Sequence, residues 1–408
     1  MIAEKDKQTV RELAKRYMAL VTTEKQARMF QRFKDTNDLK PGRPPVLLDE
    51  IPWYQMDMDG ELTCVCESDF TRGVEFFFRK ALFYMKHFKA DNLYEPFFRV
   101  PRTVVSTGIG IDVKEEIKRT DGTNNIVSHE YEDVLEDESA FEKMHLPEFS
   151  LRPEKDAQKM EMYTELLGDS IPIRQYGFGY LYYAPWDRIA RLRGVEPIMI
   201  DLYDRPEYIH KIIAFYTAAE HARLDFVEKN LDVDLTATLH CTPGVVSGLA
   251  ESGLKATWCR SMAQSFGIIS PDMFKEFEID YLQSVAERFT YTYYGCCEPL
   301  DDKIEVLKSI PNLRKIGCSP WANVERCAEQ IRGDYVLARK PNPAYVAIRT
   351  DTEVVRGEIE DTVKTCIKYG CPYDYVLKDI STVGHRPENL IEWAQTVSDV
   401  LDRYYGEA

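Results

Sequence analysis

The feature of the sequence that most constrains the fold is an alternation of short β-rich runs with longer helical stretches after residue 170. This alternation is typical of βα units arranged around a parallel sheet. Together with an early apolar run, the β-rich runs number eight, which is the strand count of a closed barrel. We therefore predict the α/β fold class, as a (β/α)8 TIM-type barrel, with strands at residues 46–51, 173–180, 234–241, 256–262, 290–296, 313–319, 335–340 and 373–379.

Helices are predicted between these strands at residues 206–229, 271–288, 301–309 and 387–404. Proline stands at the first position of three of them, where its missing N–H has no partner to lose. The rival architecture is a doubly wound sheet with a dinucleotide site. It is disfavoured because no Gly-x-Gly-x-x-Gly follows a strand: the glycine pairs beginning at Gly108 and Gly177 both lack the third glycine.

Two segments lie outside the repeating pattern. Apolar residues at helical spacing between Val10 and Val21 predict an N-terminal helical extension over residues 1–44, ahead of a barrel over residues 45–408. An insertion at about residues 91–170 holds the most acidic stretch, with twelve acidic and four basic residues between positions 112 and 148. Blocks of like charge stay solvated, so an exposed cap is one interpretation, and a docking surface for a basic partner is the other.

Composition limits the partners. The 68 acidic residues outnumber the 52 basic ones, and the formal charge of −16 argues against nucleic acid and anionic membranes. The chain has no run of about 18 apolar residues, and its first residues lack the apolar segment of a secretory signal. We expect a cytoplasmic protein whose ten cysteines are thiols, packed groups or metal ligands, and not a disulfide framework.

Polar and aromatic residues stand at the predicted strand ends, the edge of a TIM barrel where catalysis occurs. The nucleophile elbow, the Walker loop, the His-Glu-x-x-His helix and the Cys-x-x-Cys pair are all absent from the sequence. Thiol, imidazole and carboxylate groups bind zinc, and three of them leave the open position of a catalytic site. The strand-end residues are Asp49, Glu50, Tyr176, His240, Cys241, Gln264, Cys296, Cys297, Glu298, Cys318, Trp321, Lys340, Asn342 and Asp379.

The sharpest local motif is the pair Cys296 and Cys297, followed by Glu298. Successive strand residues face opposite sides of a sheet, so one thiol should face the pocket, and Cys296 is our candidate. The alternative is two small thiols packed at a strand end, because free cysteine is often buried. His240 and Asp379 have structural alternatives as well, a hydrogen-bonded core histidine and a helix cap.

The stretches IDLYDRPEYIH (200–210), GIISPDMF (267–274), YGCCEPL (294–300) and IPNL (310–313) resemble the uroporphyrinogen decarboxylase superfamily. The likeness extends over roughly residues 171–405. It implies a (β/α)8 barrel. It also implies one of two chemistries, since the superfamily contains cofactor-free decarboxylases and zinc-dependent methyltransferases that exchange methyl groups with corrinoid proteins.

The chain departs from both branches at motif positions. The decarboxylases carry Arg-Gln-Ala-Gly-Arg-Tyr after the first strand, whereas this chain has DEIPWY at 49–54, so a polyanionic porphyrinogen would lack its arginine clamps. The thiol methyltransferases carry His-x-Cys where this chain has Tyr294, Gly295 and Cys296, and a further cysteine where this chain has Asp379. The resemblance is closer to the corrinoid-dependent methyltransferase branch.

The resemblance implies an enzyme that moves a methyl group between a small O-, S- or N-methylated compound and a corrinoid protein. It implies zinc held by Cys296, His240 and Asp379, and catalysis by Glu298, Lys340 and Asp49. The cobalamin would arrive on a partner protein, because the Asp-x-His-x-x-Gly motif of corrinoid carriers is absent; a homodimer is compatible with this arrangement. The expected substrate contacts are Trp53, Tyr176, Gln264, Cys297, Trp321 and Asn342.

Two other functions stay open at this stage. One is a cofactor-free decarboxylase acting on a smaller carboxylate substrate, in which Asp49 and Lys340 handle protonation and charge. The other is a barrel that binds a ligand without turning it over, in which the paired thiols are structural. Metal content separates the methyltransferase from both.

Overall fold

The computed structural model describes residues 2–118, 127–234 and 238–406. Their strands, numbered in chain order, are β1 (Val46–Leu48), β2 (Phe98–Pro101), β3 (Val104–Ser106), β4 (Glu115–Lys118), β5 (Ser128–Tyr131), β6 (Phe149–Leu151), β7 (Ile173–Tyr176), β8 (Leu181–Tyr183), β9 (Thr238–Leu239), β10 (Thr242–Pro243), β11 (Trp258–Ser261), β12 (Tyr291–Tyr294), β13 (Leu313–Cys318), β14 (Val336–Arg339) and β15 (Tyr373–Leu377).

The α-helices of the same residues surround the sheet and form the N-terminal extension. They are α1 (Glu4–Val21), α2 (Glu24–Asn37), α3 (Asp69–His87), α4 (Pro153–Leu167), α5 (Pro185–Arg193), α6 (Val195–Asp204), α7 (Pro206–Asn230), α8 (Pro271–Phe274), α9 (Asp280–Ala286), α10 (Ile304–Leu307), α11 (Val324–Ile331), α12 (Thr352–Tyr369) and α13 (Glu388–Tyr405).

The centre of the fold is a curled parallel sheet of seven strands in the order β1, β15, β14, β13, β12, β11, β8. Every neighbouring pair in it is parallel, as βα units require. The prediction of an α/β fold around a parallel sheet is confirmed. Closure is not observed: over the described residues β1 and β8 are the two open edges, so the sheet forms a TIM-like half-barrel.

Two of the predicted strands, at residues 173–180 and 234–241, differ from the prediction. Within 173–180, β7 pairs with β2 in a separate sheet, and the central strand begins only at Leu181. Gly177 separates the two, because a Cβ there would lie 2.8 Å from the Asp232 carbonyl oxygen. Within 234–241, β9 forms an antiparallel pair with β10 instead of joining the central sheet. Residues 235–237 of that run lie outside the described residues.

Side chains of the central strands alternate between two environments, as the period of two requires. One set packs outward into the large core shared with the helices; it includes Cys259, Tyr294, Ile316, Leu337 and Tyr375. The other set faces the concave interior, where Trp258, Tyr293 and Ala338 form a small separate cluster. Arg260 and Lys315 lie over the Tyr293 ring in the same interior. The interior of the sheet therefore contains buried charge as well as apolar groups.

Two predicted helices are interrupted. The stretch 271–288 contains a π-helix at Lys275–Ile279 between α8 and α9, and the stretch 301–309 is helical only at Ile304–Leu307. A π-turn inside a helix often marks a functional position. This one places Glu278 under the central sheet, where the carboxyl group is fully buried.

The most acidic stretch of the insertion is partly anchored. Asp133 forms an ion pair with Arg193, and Glu138 lies 3.8 Å from Arg205. The Leu135 side chain is buried in the large core, and its carbonyl oxygen accepts a hydrogen bond from Tyr208. The expectation of an exposed cap therefore holds for only part of this stretch.

The N-terminal residues form α1 and α2, as the helical spacing predicted. Helix α1 packs against α3 and α4 around a second core that includes Val10, Tyr17 and Phe78. Among the described residues, every helix is too short or too polar to cross a membrane.

Candidate active site

Three parallel strands bring their polar termini together at one edge of the sheet. Strand β1 is followed by Asp49 and Glu50, and its neighbour β15 by Lys378 and Asp379. Strand β12 is followed by Gly295, whose φ of 96° turns the chain so that Cys296 comes next. A Cβ at Gly295 would lie 2.3 Å from Leu300 and 3.3 Å from Gly317. The turn that presents the thiols therefore requires glycine.

Four of these side chains form what we call the thiol–lysine cluster: Cys296, Cys297, Lys378 and Asp379. The Lys378 Nζ lies 3.1 Å from the Cys296 Sγ, and the two Sγ atoms are 3.6 Å apart. Cys297 donates to the Asp379 carboxylate at 2.9 Å. Lys378 is 3% exposed and Cys296 1%, so the cluster is closed on the side of the sheet interior and reaches solvent through Cys297 and Asp379.

The surroundings favour a negative charge on Cys296. A hydrogen bond from Cys297 lowers the pKa of the Cys296 thiol, burial opposes this, and the positive charges of Arg260, Lys340 and Lys378 lower it further. The same hydrogen bond and burial raise the pKa of Cys297, so the shared proton stays on that residue. These surroundings favour one thiolate and one thiol in the pair, with the Lys378 ammonium group next to the thiolate.

A second grouping adjoins the first and consists of Glu50, His240 and Cys241, which we call the Glu–His–Cys group. One ligand atom from each lies within 4.8 Å of the other two. The His240 Nε2 is 3.3 Å from the Glu50 Oε1, and the His240 Nδ1 is buried with no hydrogen-bond partner among the described residues. These are the nitrogen, sulfur and oxygen donors that zinc takes.

Glu50 connects the two groupings. Its other carboxylate oxygen accepts from the Asp379 amide at 2.9 Å and lies 3.6 Å from the Lys378 Nζ. Burial raises the pKa of Glu50, but the hydrogen bonds from His240 and Asp379 and the charge of Lys378 lower it overall. Glu50 is therefore an anion held from both sides, which suits a ligand in fixed orientation.

The backbone is strained at three residues of these two groupings. Glu50, Cys241 and Asp379 have φ angles of 51°, 68° and 57° although none is glycine. Side chains with a Cβ rarely adopt this left-handed region, and each instance costs on the order of 1–3 kcal/mol. The surrounding fold stabilises all three, which is typical of residues whose orientation serves a site.

The structure separates the predicted zinc ligands. Cys296 and Asp379 belong to the thiol–lysine cluster, whereas His240 belongs to the Glu–His–Cys group. Among the described residues these three are not a set with ligand atoms within 4.8 Å of one another. Cys241, a strand-end residue that had no assigned role, stands where the third ligand was expected.

The predicted catalytic residues lie around the thiols. The Glu298 carboxylate accepts from the Cys296 amide at 2.9 Å, and burial raises the pKa of Glu298. Lys340 is buried in the sheet interior and donates to the Tyr293 hydroxyl at 3.0 Å. Asp49 accepts from the Glu50 amide at 2.9 Å, so it fixes the turn that orients Glu50.

The predicted substrate contacts divide into those near the site and those away from it. Trp53 lines a cavity of ≈ 560 Å³ together with Glu50 and Asp379. Cys297 is in the cluster itself, and Gln264 lies 3.7 Å from the Met262 sulfur, which packs on Cys296. These positions are compatible with contact to one ligand.

The other three lie elsewhere or act in the fold. Tyr176 lines a different cavity of ≈ 410 Å³ with Tyr17. Trp321 is 70% exposed on the loop after β13. Asn342 accepts from the Ala344 amide at 3.0 Å and caps a short 3-10 helix, which gives this residue a structural role.

Two residues of the site escaped sequence reasoning. Lys378 was not among the candidates, because only the last residue of the predicted strand 373–379 was taken as a strand-end residue, yet Lys378 is the cation that both groupings share. Arg260 lies in the middle of β11 and faces the interior. An arginine within an otherwise apolar strand run was the available signal, since such residues are rarely buried without a partner.

Comparison with solved structures agrees with this architecture. Twenty-three solved chains match this chain, among them one described as a methyltransferase from Methanosarcina mazei. That match has a TM-score of 0.52 and 14% identity, and it covers 92% of this chain and 99% of the other. No family model and no curated protein matches this chain. At this identity the likeness shows a shared fold.

Proposed function

We propose that this chain is a methyltransferase that moves a methyl group between a small O-, S- or N-methylated compound and a corrinoid protein. The single observation that supports it most is the Glu–His–Cys group beside a stabilised thiolate at the carboxyl edge of a parallel half-barrel. The fold likeness to a solved methyltransferase is consistent with this chemistry.

We propose that zinc is held by Glu50, His240 and Cys241. Two ligand atoms about 2.0–2.1 Å from a tetrahedral zinc are roughly 3.3 Å apart, and the Glu50 Oε1 and His240 Nε2 are separated by 3.3 Å. The donor set also leaves one tetrahedral position for substrate. The resemblance-based set, Cys296 with His240 and Asp379, is replaced because Lys378 already compensates the charge of Cys296.

The protein side chains have separable tasks in this proposal. Bound zinc supplies a Lewis acid for the heteroatom that carries the methyl group. Lys378 and the Asp379 amide fix the Glu50 carboxylate. Trp53 covers the cavity next to Glu50, where an apolar face excludes water from the reacting group.

A proton for the departing heteroatom has a local source. Asp187 lies in the first turn of α5, directly after β8. Burial and then the nearby Cys296 raise the pKa of Asp187 to about 6. This carboxyl group therefore holds and releases a proton near neutral pH, which suits a general acid.

The methyl partner in this proposal is a separate corrinoid protein, which must reach the carboxyl edge of the sheet. A transient contact of modest area would serve, because turnover requires release. We keep the small methylated compound as the second partner and propose no nucleic acid or membrane partner.

Methyl transfer itself is the first test. The purified protein is mixed with a reduced corrinoid protein and a panel of methylated compounds, and the cobalt absorbance is followed. We expect His240→Gln to abolish the change and His87→Gln to preserve it, because His87 pairs with Glu61 away from the site. Failure of the wild-type protein with every methylated compound and every corrinoid protein encoded near its gene would reject the proposal.

Zinc content gives an independent prediction. We expect about one zinc per chain, lost in Cys241→Ser and in His240→Gln, as measured by elemental analysis of anaerobically purified protein. Cys296→Ser is expected to keep the metal. Cys371→Ser is the control, because that thiol is buried at a distance from the site and donates to the Ala328 carbonyl. Loss of zinc in Cys296→Ser with retention in Cys241→Ser would restore the resemblance-based ligand set.

A further inference from the structure

Within the part of the chain that the structure describes, the interior of the half-barrel contains two cations with no carboxylate at ion-pair distance. Four basic side chains face it: Arg260, Lys315, Lys340 and Lys378. Lys315 is paired with Asp374 at 2.7 Å, and Lys378 with Glu50 and Asp379. Among the described residues, no carboxylate oxygen lies within 4.0 Å of Arg260 or Lys340, which distinguishes these two from the rest.

Arg260 is under-coordinated as well as buried. It is 0% exposed, and its Nη1 donates to the carbonyl oxygens of Ser261 at 2.8 Å and Tyr293 at 3.4 Å. Its Nε and Nη2 have no acceptor within hydrogen-bond distance among the described residues. It is the one described arginine with two such buried nitrogens. Unmet donors on a buried charge are costly, so a fold that retains them has a use for them.

Lys340 belongs to the same location. Its Nζ makes one side-chain hydrogen bond, to the Tyr293 hydroxyl at 3.0 Å, which leaves two of its three N–H donors. The Arg260 Cζ lies 3.8 Å from the centroid of the same Tyr293 ring. The guanidinium therefore stacks on the ring that Lys340 touches at its rim, and both cations converge on one region of the interior.

The electrostatic surroundings of these two cations are shared with other groups. Burial lowers the pKa of Arg260 and of Lys340, whereas Tyr293 and Cys296 raise both, and Cys241 and Glu298 also raise that of Arg260. The Cys296 sulfur is in contact with Lys378, so among the described residues neither Arg260 nor Lys340 has an ion-pair partner of its own. A small anion held between the two cations would supply one.

We propose that Arg260 and Lys340 form a binding site for the carboxylate of a small ligand inside the half-barrel. An arginine fork and an ammonium group are the donors that recognise carboxylates, and the apolar cluster beside them contains Trp258 and Tyr293, with Tyr180 packed against it. On the proposed function, this assigns the substrate class: a methylated carboxylic acid.

The position of the proposed carboxylate site sets the orientation of the bound substrate. Arg260 is the last residue but one of β11, and Lys340 directly follows β14, so both lie close to the carboxyl edge of the sheet. A carboxylate bound there places the other end of a small acid near the Glu–His–Cys group. The carboxylate anchors the substrate in the interior, and the methyl group faces the edge where a second protein has access.

Calorimetric titration of matched acid and amide pairs tests the site without requiring catalysis. The probes are para-methoxybenzoate against para-methoxybenzamide, and methoxyacetate against methoxyacetamide, so the pairs differ in charge and the two arms differ in size. We expect the acid to bind at least about tenfold more tightly than its amide in one arm or both. The preferred arm tells an aromatic acid from an aliphatic one.

Variants test whether Arg260 and Lys340 cause the preference for the acid over its amide. Arg260→Gln and Lys340→Gln are each expected to remove the preference for the acid, and Lys340→Gln carries the test if Arg260→Gln does not fold. Arg339→Gln is the matched control: Arg339 is also buried, but it is paired with Glu358 at 2.9 Å, so its loss should leave the preference intact.

The outcomes separate this inference from the proposed function. Equal affinity for acid and amide in both arms, or no binding of either acid, overturns the carboxylate site, even if methyl transfer from a neutral compound is observed. A preference for the acid that survives both Arg260→Gln and Lys340→Gln also overturns it. A preference that both variants remove, without methyl transfer from any methylated compound, supports the site and rejects the methyltransferase.

Discussion

Replacement of Lys378 by methionine is expected to raise the pH at which the Cys296 thiolate forms and to lower the rate of methyl transfer by about 100-fold or more. Lys378 is the cation that contacts the Cys296 sulfur and the Glu50 carboxylate. Methionine keeps most of the volume and removes the charge. Loss of Lys378 removes the ammonium group in contact with the buried Cys296 thiolate, and breaking a buried ion pair typically costs about 3–5 kcal/mol of the free energy of unfolding.

Thiolate absorbance in the ultraviolet, followed against pH on metal-free protein, measures this effect. The contribution of Cys296 is the difference between each protein and its Cys296→Ser counterpart. Lys303→Met is the control, because Lys303 is equally buried but pairs with Asp302 away from the thiols. If the thiolate of the Lys378→Met protein formed at the same pH as in the wild type, Lys378 would not be the group that stabilises it.

Glu278→Gln is expected to change the pH dependence of stability. Glu278 is fully buried in the π-helix and accepts from the Tyr294 hydroxyl at 3.0 Å. Burial raises the pKa of Glu278 to about 8, with smaller contributions from Glu298 and Asp187. The folded protein therefore keeps this proton in a pH range where the unfolded chain releases it.

The direction of the pH dependence of stability follows from that difference in bound protons. Between about pH 4.5 and pH 8 the folded state binds more protons than the unfolded state, so this group makes the folded state less stable as pH rises. Glutamine is neutral at every pH, so the variant should gain stability over the wild type across this range, on the order of 5 kcal/mol by the upper end. Urea unfolding at several pH values measures it.

Glu287→Gln provides the comparison, since Glu287 lies exposed at the end of α9. Its substitution should leave the pH dependence of the wild type unchanged. A constant difference in unfolding free energy between the wild type and Glu278→Gln from acid to neutral pH would mean that Glu278 is already ionised in the folded protein.

The sequence predicted the elements whose signals are local. The runs from residue 256 onward are short, rich in β-branched, aromatic and other apolar residues, and separated by helical stretches, and all became parallel strands of the central sheet. The run at 173–180 was misjudged because Gly177 permits a close backbone approach that divides it. The run at 234–241 was misjudged because strand pairing depends on partners far away in the chain, which composition does not reveal.

The sequence predicted the types of residue at the site better than it predicted which of them lie next to one another. Cys296 and Asp379 follow strands of the central sheet, whereas His240 follows β9, which pairs outside that sheet. Which of them share neighbours depends on how these strands meet. The backbone at Cys241 has a positive φ that turns this residue toward Glu50 and His240. No single-sequence pattern reports such a turn for a residue with a Cβ.

The left-handed backbone at Glu50, Cys241 and Asp379 has a consequence for how this protein responds to selection. Glycine at any of these positions would relax the backbone at the cost of a side chain that the site requires, so backbone strain and chemistry make opposing demands on these residues. Variants selected for thermal tolerance and variants selected for turnover should therefore diverge first at these three codons. A lineage in which all three stay non-glycine is one in which the chemistry at this edge is still being used.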